Sequence, residues 1–300
     1  MKKIKFFGSI PAIITPFTSD GELDLPALKE FVEFQIEGGI DAIVACGSTG
    51  EAATLSDEEY ETVIKTVVEA VNGRIPVIAG AGSNDTLRAV QLSKIAKRAG
   101  ADALLHVTPF YNKPTINGLI AHYKEVAKVG LPIIIYNVPG RTGSNVPPVN
   151  IIRIAREVPA IKAVKEASGS IAQMMEIIKL AATEGPKDFS VLSGDDALTL
   201  PLIAAGGHGV ISVVCNEIPK EFSEMVHLAL DGNFTKARSL HYRMWDLMNI
   251  NFIESNPIPV KTALFLMGKI ELNFRLPLVP MEEINQEALE KVLRALKLIK

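Results

Sequence analysis

The residues best suited to chemistry are two lysines inside an apolar stretch, Lys162 and Lys165 in the segment IKAVKEASGS. The stretch is typical of a short buried strand that ends in a Gly/Ser turn. Because side chains alternate along a strand, the two lysines lie on opposite faces, and at most one of them can face a pocket. With Lys165 inward, the small Ala163 lies beneath it and Lys162 extends outward along its apolar stem. Taken alone, the stretch favours the simpler interpretation, in which both ammonium groups reach water.

A lysine in a pocket has a specific chemical use. Burial lowers the pKa of its ammonium group towards neutrality. The neutral amine can then attack a ketone or aldehyde carbon and form an iminium ion, which withdraws electrons from the neighbouring bonds. The position of Lys165 in the fold therefore decides whether it is a reactive amine in a pocket or an ammonium group in water.

The elements that must position Lys165 alternate between apolar strands and amphipathic helices. Ser56 and Glu59 form a capping box for one helix, and Asn84 or Asp85 can cap the next. The predicted strands are 9–16, 40–46, 76–80, 101–107, 132–136, the strand that carries Lys165, 189–192 and 210–214. The predicted helices between them are 25–37, 56–72, 84–100, 116–129, 149–157, 171–182 and 197–205.

Eight strand–helix units with continuously apolar strands predict a parallel sheet that is covered on both faces. Such a sheet closes naturally into a (β/α)8 TIM barrel, an α/β fold. The rival architecture is a doubly wound open sheet, which usually has a glycine-rich phosphate loop after its first strand. Here that turn is TPFT at residues 15–18, which is unsuitable.

The remainder of the chain predicts helices only, at 234–248, 257–267 and 284–299. We therefore expect two regions. Residues 1–218 form the barrel that carries the active site, and residues 219–300 form a C-terminal helical appendix that includes the eighth barrel helix.

Reactive side chains follow the predicted strands at the end where barrel enzymes place their active sites. Each alone is ordinary, since glycines make turns and tyrosines pack in cores, but several on one rim indicate a site. They are Ser48 and Thr49 after strand two, Thr108 and Tyr111 after strand four, Tyr136 and Arg141 after strand five, Lys165, Gly194 with Asp195 and Asp196 after strand seven, and Ile211 with Ser212 on strand eight.

The turn GSTGE at residues 47–51 can present backbone N–H groups and two hydroxyls to an anion. A phosphate is disfavoured because Asp195 and Asp196 occupy the loop where barrels usually bind phosphate. A carboxylate fits better, and Arg141 could hold a second one. Tyr136, hydrogen-bonded to Ser48 or Thr49 and to Tyr111, could relay the protons that carbinolamine formation and dehydration require.

Composition excludes several classes of protein. The chain has 300 residues and a formal net charge of -3, without the basic patch that nucleic acid or an anionic membrane would need. Two cysteines without a CxxC pair suit a reducing cytoplasm, and five dispersed histidines favour neither a metal nor a cofactor site. We expect a cytoplasmic protein, since Pro11 and Pro16 interrupt the only apolar run near the first residue.

Several longer motifs carry a resemblance to a known family. GSTGEAATL at residue 47, VTPFYNKP at 107, YNVPGRTG at 136 and KEASG at 165 resemble the dihydrodipicolinate synthase and N-acetylneuraminate lyase family, the class I pyruvate aldolases that use a Schiff base. LSGDD at 192, GGHGVIS at 206 and NPIPVK at 256 extend the likeness to essentially the whole chain. The motifs at Arg141 and Lys165 are more similar to the synthase branch than to the lyase branch.

The resemblance implies an enzyme that condenses pyruvate with L-aspartate-4-semialdehyde in lysine and diaminopimelate biosynthesis, without a cofactor or a metal. It also implies that two tight dimers form a tetramer in which Tyr111 reaches into the neighbouring subunit. The implied catalytic residues are Lys165, which forms the imine, and Tyr136, Ser48 and Tyr111, which relay protons. The implied substrate-binding residues are Ser48, Thr49, Arg141, Gly194 and Ile211.

One departure from the family bears on regulation. Members that lysine inhibits hold it with histidine, glutamate and tyrosine side chains at the tight dimer interface. The matching positions here are Asp57, Tyr60, Asn84, Arg88 and Phe110. Arg88 in place of a glutamate would repel the ammonium group of lysine, and Phe110 lacks a phenol. We expect weak or absent feedback by lysine.

Two alternatives remain at the level of the sequence. One is another pyruvate-dependent class I aldolase, an N-acetylneuraminate or 2-keto-3-deoxy sugar acid lyase, against which Arg141 argues. The other is a catalytically silent binding homologue, which would require a broken proton relay. Lys165, Tyr136, Tyr111 and Ser48 are all present.

Overall fold

The computed structural model describes residues 5–300. Within that range the strands are β1 (Gly8–Pro11), β2 (Ile43–Ala45), β3 (Val77–Gly80), β4 (Ala103–Val107), β5 (Ile133–Asn137), β6 (Ile161–Glu166), β7 (Ser190–Ser193) and β8 (Gly209–Ser212). The helices are α1 (Leu25–Glu37), α2 (Asp57–Val71), α3 (Thr86–Arg98), α4 (Ile116–Ala127), α5 (Pro139–Thr142), α6 (Pro148–Glu157), α7 (Ile171–Glu184), α8 (Thr199–Ala204), α9 (Pro219–Leu230), α10 (Phe234–Ile250), α11 (Ile258–Leu266) and α12 (Glu283–Ala295).

The strands form one parallel sheet in the order β1-β8-β7-β6-β5-β4-β3-β2. The seam between β1 and β2 is closed by a parallel bridge between Ala12 and Val44, where the N–H of Ile13 donates to the carbonyl of Val44 at 2.9 Å. Since β1 pairs with β8 on one side and contacts β2 on the other, the eight-stranded sheet closes on itself and forms a barrel. The predicted (β/α)8 barrel is therefore confirmed over the open doubly wound sheet.

Apolar side chains of the barrel fall into two clusters, as expected for strands that are buried on both faces. The inner cluster fills the barrel with residues from every strand, among them Val44, Tyr136, Ala163, Leu192 and Ile211. The outer cluster lies between the strands and the surrounding helices.

Helix starts follow the predicted capping residues. Ser56 and Glu59 form the complete capping box of α2, with hydrogen bonds of 2.9 and 3.2 Å. Asp85, and not Asn84, caps α3 by accepting hydrogen bonds from the N–H groups of Leu87 and Arg88. Each of these contacts joins residues that are fewer than four positions apart in the chain, so the sequence alone can predict it.

Strand lengths differ from the predictions. Strand β1 ends at Pro11 although residues 13–17 are also buried, and β2 is only Ile43–Ala45. An apolar run indicates that residues are buried, whereas a strand also requires hydrogen bonds to a neighbouring strand. The length of the apolar run therefore overestimates the length of the strand. The one-turn helix α5 was not predicted. Helix α9 lies in the C-terminal region, for which the sequence predicted an eighth barrel helix but no residue range.

All eight strands precede residue 218, and α9 to α12 follow it. Helix α9 contributes the buried side chains of Phe222, Met225, Val226 and Ala229. This spacing is typical of a helix that packs one face on a sheet, as the eighth barrel helix must. The division of the chain at residue 218 stays a prediction. Across residues 5–300, no helix combines the length and apolar composition needed to cross a bilayer.

Candidate active site

Lys165 lies on β6 inside the barrel, with only 5% of its surface exposed. Its neighbours in register are Tyr136 on β5 and Leu192 on β7, both members of the inner cluster. The ammonium nitrogen Nζ lies 4.3 Å from the centroid of the Tyr136 ring. Ala163, two residues earlier, is also in the inner cluster, as predicted for the small residue beneath the lysine.

Lys162 does not share the environment of Lys165. A register irregularity in β6 accounts for this difference, whereas simple alternation of side chains does not. Ile133 pairs with Ile161 while Ile134 pairs with Ala163, so Lys162 is an extra residue in the ladder. Strict alternation would put Ile161 and Ala163 on one face, yet they belong to the outer and inner clusters respectively. Lys162 is only half-buried.

The surroundings of Lys165 favour its neutral amine. Burial lowers its pKa to about 8, Asp196 acts against this shift and the charge of Arg141 adds to it. In the described part of the chain, the lysine forms neither a hydrogen bond nor an ion pair, and its ammonium group lies over the Tyr136 ring. A buried amine without a carboxylate partner is available as a nucleophile near neutral pH.

Gly194 follows β7 and lies directly against this lysine. A Cβ atom at Gly194 would lie 2.6 Å from Cβ of Ala167 and 3.1 Å from Cε of Lys165. Its N–H donates to the carbonyl of Glu166 at 2.7 Å, which fixes the close approach. Ile211 on β8 is 1% exposed and lies in the inner cluster. Gly194 therefore packs against Lys165, and Ile211 lies among the inner side chains of the barrel.

Tyr136 is buried, which raises the pKa of its phenol to about 12, while the charge of Arg141 acts in the opposite direction. The phenol is therefore protonated at neutral pH and can donate. Within residues 5–300, no hydrogen bond joins it to Ser48, Thr49 or Tyr111. Tyr111 is 87% exposed in this single chain, with φ at 71°. The predicted proton relay stays a prediction.

The turn that carries Ser48 and Thr49 is held in a specific conformation. Glu51 has a positive φ of 51°, and Gly50 is packed so closely that a Cβ atom would lie 3.1 Å from the carbonyl oxygen of Ile13. The hydroxyl of Thr15 donates to the carbonyl of Gly50 at 2.7 Å. Ser48 is exposed and Thr49 is 3% exposed.

The C-terminal region anchors this turn through Lys261 on α11. Its ammonium group lies 2.6 Å from Oε1 of Glu51, and both side chains are fully buried. The same nitrogen donates to the carbonyls of Thr15 and Asn273 at 3.2 and 2.6 Å. The anion-binding turn after β2 is therefore held by a helix that lies 210 residues further along the chain.

Asn256 connects two of the predicted substrate-binding residues. Its Nδ2 donates to the hydroxyl oxygen of Thr49 at 2.9 Å, and its backbone carbonyl accepts from Nη2 of Arg141 at 3.1 Å. Asn256 is 7% exposed. A residue from the loop before α11 thus contacts both the turn after β2 and the helix after β5.

Arg141 lies on the one-turn helix α5 and is itself exposed. The segment that follows it is tied to the end of β5, because Asn137 accepts from the N–H of Val146 at 3.0 Å. Asn137 also donates to the buried carboxylate of Glu166 at 2.9 Å. The residue after Lys165 therefore supports the segment that carries the arginine.

Four of the positions matched to lysine feedback have the following surroundings. Arg88 pairs with Asp57 at 2.5 Å, and the buried Tyr60 donates its hydroxyl to the carbonyl of Gly80 at 2.9 Å. Phe110 is partly exposed. Weak or absent feedback by lysine stays a prediction.

Sequence reasoning missed Asn256 and Lys261 as members of the site. The motif NPIPVK contributed only to the family resemblance. A signal was present, since Lys261 is a lysine inside an apolar run, the same pattern that singled out Lys165. Among the described residues, no group of three histidine, cysteine, aspartate or glutamate side chains is placed to hold a metal ion.

The fold and the site define a (β/α)8-barrel enzyme with a buried lysine at the carboxyl ends of its strands. The model of the dihydrodipicolinate synthetase family matches residues 5–296, and the chain belongs to this family. It is 52% identical over 295 residues to the 4-hydroxy-tetrahydrodipicolinate synthase of Maridesulfovibrio salexigens, covering 98% of this chain and 99% of the relative.

Solved structures agree with this assignment. The dihydrodipicolinate synthase of Thermotoga maritima has a TM-score of 0.95 and 44% identity, covering 99% of this chain and 100% of that one. A monomeric dihydrodipicolinate synthase variant also has a TM-score of 0.95 and 44% identity, with 98% of each chain covered.

Proposed function

We propose that the protein is a 4-hydroxy-tetrahydrodipicolinate synthase, which condenses pyruvate with L-aspartate-4-semialdehyde through an imine at Lys165. The observation that carries the proposal is the buried Lys165, with its pKa lowered to about 8, at the rim of a barrel of this family. The name of the relatives supplies the substrates, and the geometry supports the chemical role of the lysine.

In the first half of the reaction, the neutral Nζ of Lys165 attacks the keto carbon of pyruvate. The carbinolamine that forms loses its hydroxyl as water and becomes an iminium ion. Tyr136 is the proton donor for that departure, because its phenol is protonated and its ring is in contact with Nζ. Ser48 and Thr49 hold the pyruvate carboxylate, and Gly194 leaves room beside the lysine.

In the second half, loss of a proton from the methyl carbon of the iminium gives an enamine. The enamine carbon attacks the aldehyde carbon of the semialdehyde, and the aldehyde oxygen takes up a proton. The amino group of the semialdehyde then attacks the imine carbon and displaces Lys165, which closes the ring. Arg141 holds the semialdehyde carboxylate at the entrance of the barrel.

The alternative aldolase activities are not favoured. The curated relatives that match over nearly the full chain carry the synthase name. Arg141, which argued against a sugar acid lyase at the level of the sequence, is held in place by Asn256.

We further propose that the chain works as a homo-oligomer, a dimer of dimers, in the cytoplasm. Tyr111 is 87% and Leu87 80% exposed, and a second copy would cover the aromatic ring of the first and the apolar side chain of the second. Tyr111 contributes to proton relay only if such a copy places it near a site. The free and buried Cys46 and Cys215 suit a reducing compartment.

The test combines chemical trapping with kinetics. Borohydride reduction in the presence of pyruvate should add a stable adduct to Lys165, identified by peptide mass mapping. Purified protein should also condense pyruvate with aspartate semialdehyde faster than it cleaves N-acetylneuraminate or 2-keto-3-deoxy sugar acids. An adduct at Lys162, no adduct, or preferred cleavage of sugar acids would contradict the proposal. Lys162→Ala is the matched control and should trap pyruvate like the parent.

A further inference from the structure

Asn256 is placed to control the direction of a hydrogen bond in the substrate site. It lies in the loop before α11, it is 7% exposed, and its Nδ2 lies 2.9 Å from Oγ1 of Thr49. Thr49 is itself 3% exposed. The contact joins residues 207 positions apart, so it is produced by the packing of the C-terminal region on the barrel.

A threonine hydroxyl has one proton to donate and lone pairs with which to accept. An amide NH₂ group is only a donor. When Nδ2 of Asn256 donates to Thr49, the hydroxyl oxygen acts as the acceptor in that bond. The hydroxyl proton of Thr49 then remains free for a different acceptor.

A carboxylate is the acceptor expected in this turn, because the hydroxyl of the exposed Ser48 is a further donor. A carboxylate accepts hydrogen bonds and donates none. A hydroxyl that pointed its proton at Asn256 would present only lone pairs to the substrate and would repel it. The orientation of the amide therefore affects the affinity of the turn for a carboxylate.

We propose that Asn256 is a positioning residue that keeps Thr49 as a hydrogen-bond donor towards the carboxylate of pyruvate. This inference rests on the proposed function, since it assumes that pyruvate binds at the turn after β2. The backbone carbonyl of the same residue accepts from Arg141 at 3.1 Å. That second contact does not depend on the side chain, so substitutions at Asn256 separate the two effects.

Two substitutions distinguish the direction of the hydrogen bond. Asn256→Asp has nearly the same shape, but its carboxylate can only accept, so Thr49 would donate to it and lose its proton for the substrate. Asn256→Ala removes the donor and leaves the hydroxyl free to rotate. We expect the pyruvate concentration at half-maximal borohydride trapping to rise about tenfold or more for Asn256→Asp and about three- to tenfold for Asn256→Ala.

The KM of the aldehyde should change less than the half-saturating pyruvate concentration, because the carbonyl that holds Arg141 remains. A Thr49→Val background provides a second check. If Asn256 acts through the hydroxyl of Thr49, then Asn256→Ala should have no further effect on pyruvate trapping in that background. Asn249→Asp is the matched control, since Asn249 is exposed on α10 and, among residues 5–300, its side chain bonds only the carbonyl of Trp245.

The outcomes separate the two proposals. A parent protein that does not trap pyruvate at Lys165 contradicts the proposed function. A parent that traps pyruvate, with Asn256→Asp at the same half-saturation, shows that the direction of the hydrogen bond between Asn256 and Thr49 does not set the affinity for pyruvate, and overturns this inference alone. Should Asn256→Asp fail to fold, an unchanged half-saturation in Asn256→Ala overturns the inference in the same way.

Discussion

The ammonium group of Lys261 lies 2.6 Å from the carboxylate of Glu51, and both side chains are fully buried. The pair joins α11 to the turn that carries Ser48 and Thr49. Burial lowers the pKa of Lys261, and the carboxylate of Glu51 opposes that shift. The C-terminal region is thus a structural support of the candidate site.

Removing one member of this pair should destabilise the protein. Glu51→Gln leaves the charge of Lys261 buried without its partner, so we expect the free energy of unfolding to fall by about 3–5 kcal/mol. Urea denaturation measures the change. The double variant Glu51→Gln with Lys261→Met should recover part of the loss, because neither buried charge remains.

Glu61→Gln is the control for this prediction, since Glu61 is partly exposed and pairs with the exposed Lys65 at 2.8 Å and the exposed Arg98 at 3.7 Å. Exposed pairs contribute little, so its denaturation curve should match that of the parent. Equal curves for Glu51→Gln and Glu61→Gln would show that the buried pair does not stabilise the fold.

The pKa of Lys165 predicts the pH dependence of imine formation. Only the neutral amine attacks a carbonyl, and its fraction increases as the pH rises through the pKa. The initial rate of trapping at limiting pyruvate should therefore rise with pH and reach half of its maximum at about pH 8. A rate that is flat across this range would show that Lys165 is already neutral at lower pH.

Neighbouring charges should move this midpoint in opposite directions. Asp196 raises the pKa of Lys165 and Arg141 lowers it. We expect Asp196→Asn to shift the midpoint of trapping to lower pH and Arg141→Met to shift it to higher pH. Pyruvate alone is used, so loss of semialdehyde binding does not enter the measurement. Shifts of the same sign would contradict the electrostatic account.

Arg141 should affect the second substrate more than the first. A guanidinium that binds a carboxylate forms charge-assisted hydrogen bonds, so Arg141→Met should raise the KM of the semialdehyde about tenfold or more. The half-saturating pyruvate concentration in trapping should change much less. Arg156→Met on α6, whose exposed guanidinium lies near Glu184, is the control and should retain both constants. An unchanged KM in Arg141→Met would remove the arginine from the site.

Lysine should inhibit this enzyme weakly or not at all. Arg88, paired with Asp57 at 2.5 Å, is a cation at the position where the family resemblance implies a glutamate that would attract the ammonium group of lysine. A titration of condensation activity with lysine tests the expectation. Strong loss of activity at sub-millimolar lysine, roughly a binding free energy beyond −4 kcal/mol, would contradict it. Arg88→Glu is the informative variant, because it reverses the charge at the proposed point of repulsion.

Helix starts were predictable because their determinants are local. The capping box at Ser56 and Glu59 and the cap at Asp85 involve contacts over two or three residues. Strand ends were less predictable, since residues 13–17 are buried without belonging to β1. Pairing with a neighbouring strand decides where a strand ends, and that neighbour lies elsewhere in the chain.

Lys165 and Lys261 show how far a sequence pattern reaches. Both are lysines in apolar runs, and both are buried. Lys261 has a carboxylate partner at 2.6 Å, whereas in the described part of the chain Lys165 contacts the ring of Tyr136 instead. The pattern predicts that a lysine is buried, and only the presence or absence of a partner separates a structural ion pair from an available amine.

The sequence by itself determined the barrel, the order of its strands and main helices, the capping residues of α2 and α3, and the family. These follow from hydrophobic periodicity, capping and motifs, which are properties of neighbouring residues. Only the tertiary structure decided that β6 has an extra residue at Lys162, that Lys261 holds Glu51, and that Asn256 contacts both Thr49 and Arg141. The first relationship depends on the register between neighbouring strands. The others depend on packing between segments about 115 to 210 residues apart, which patterns among neighbouring residues do not predict.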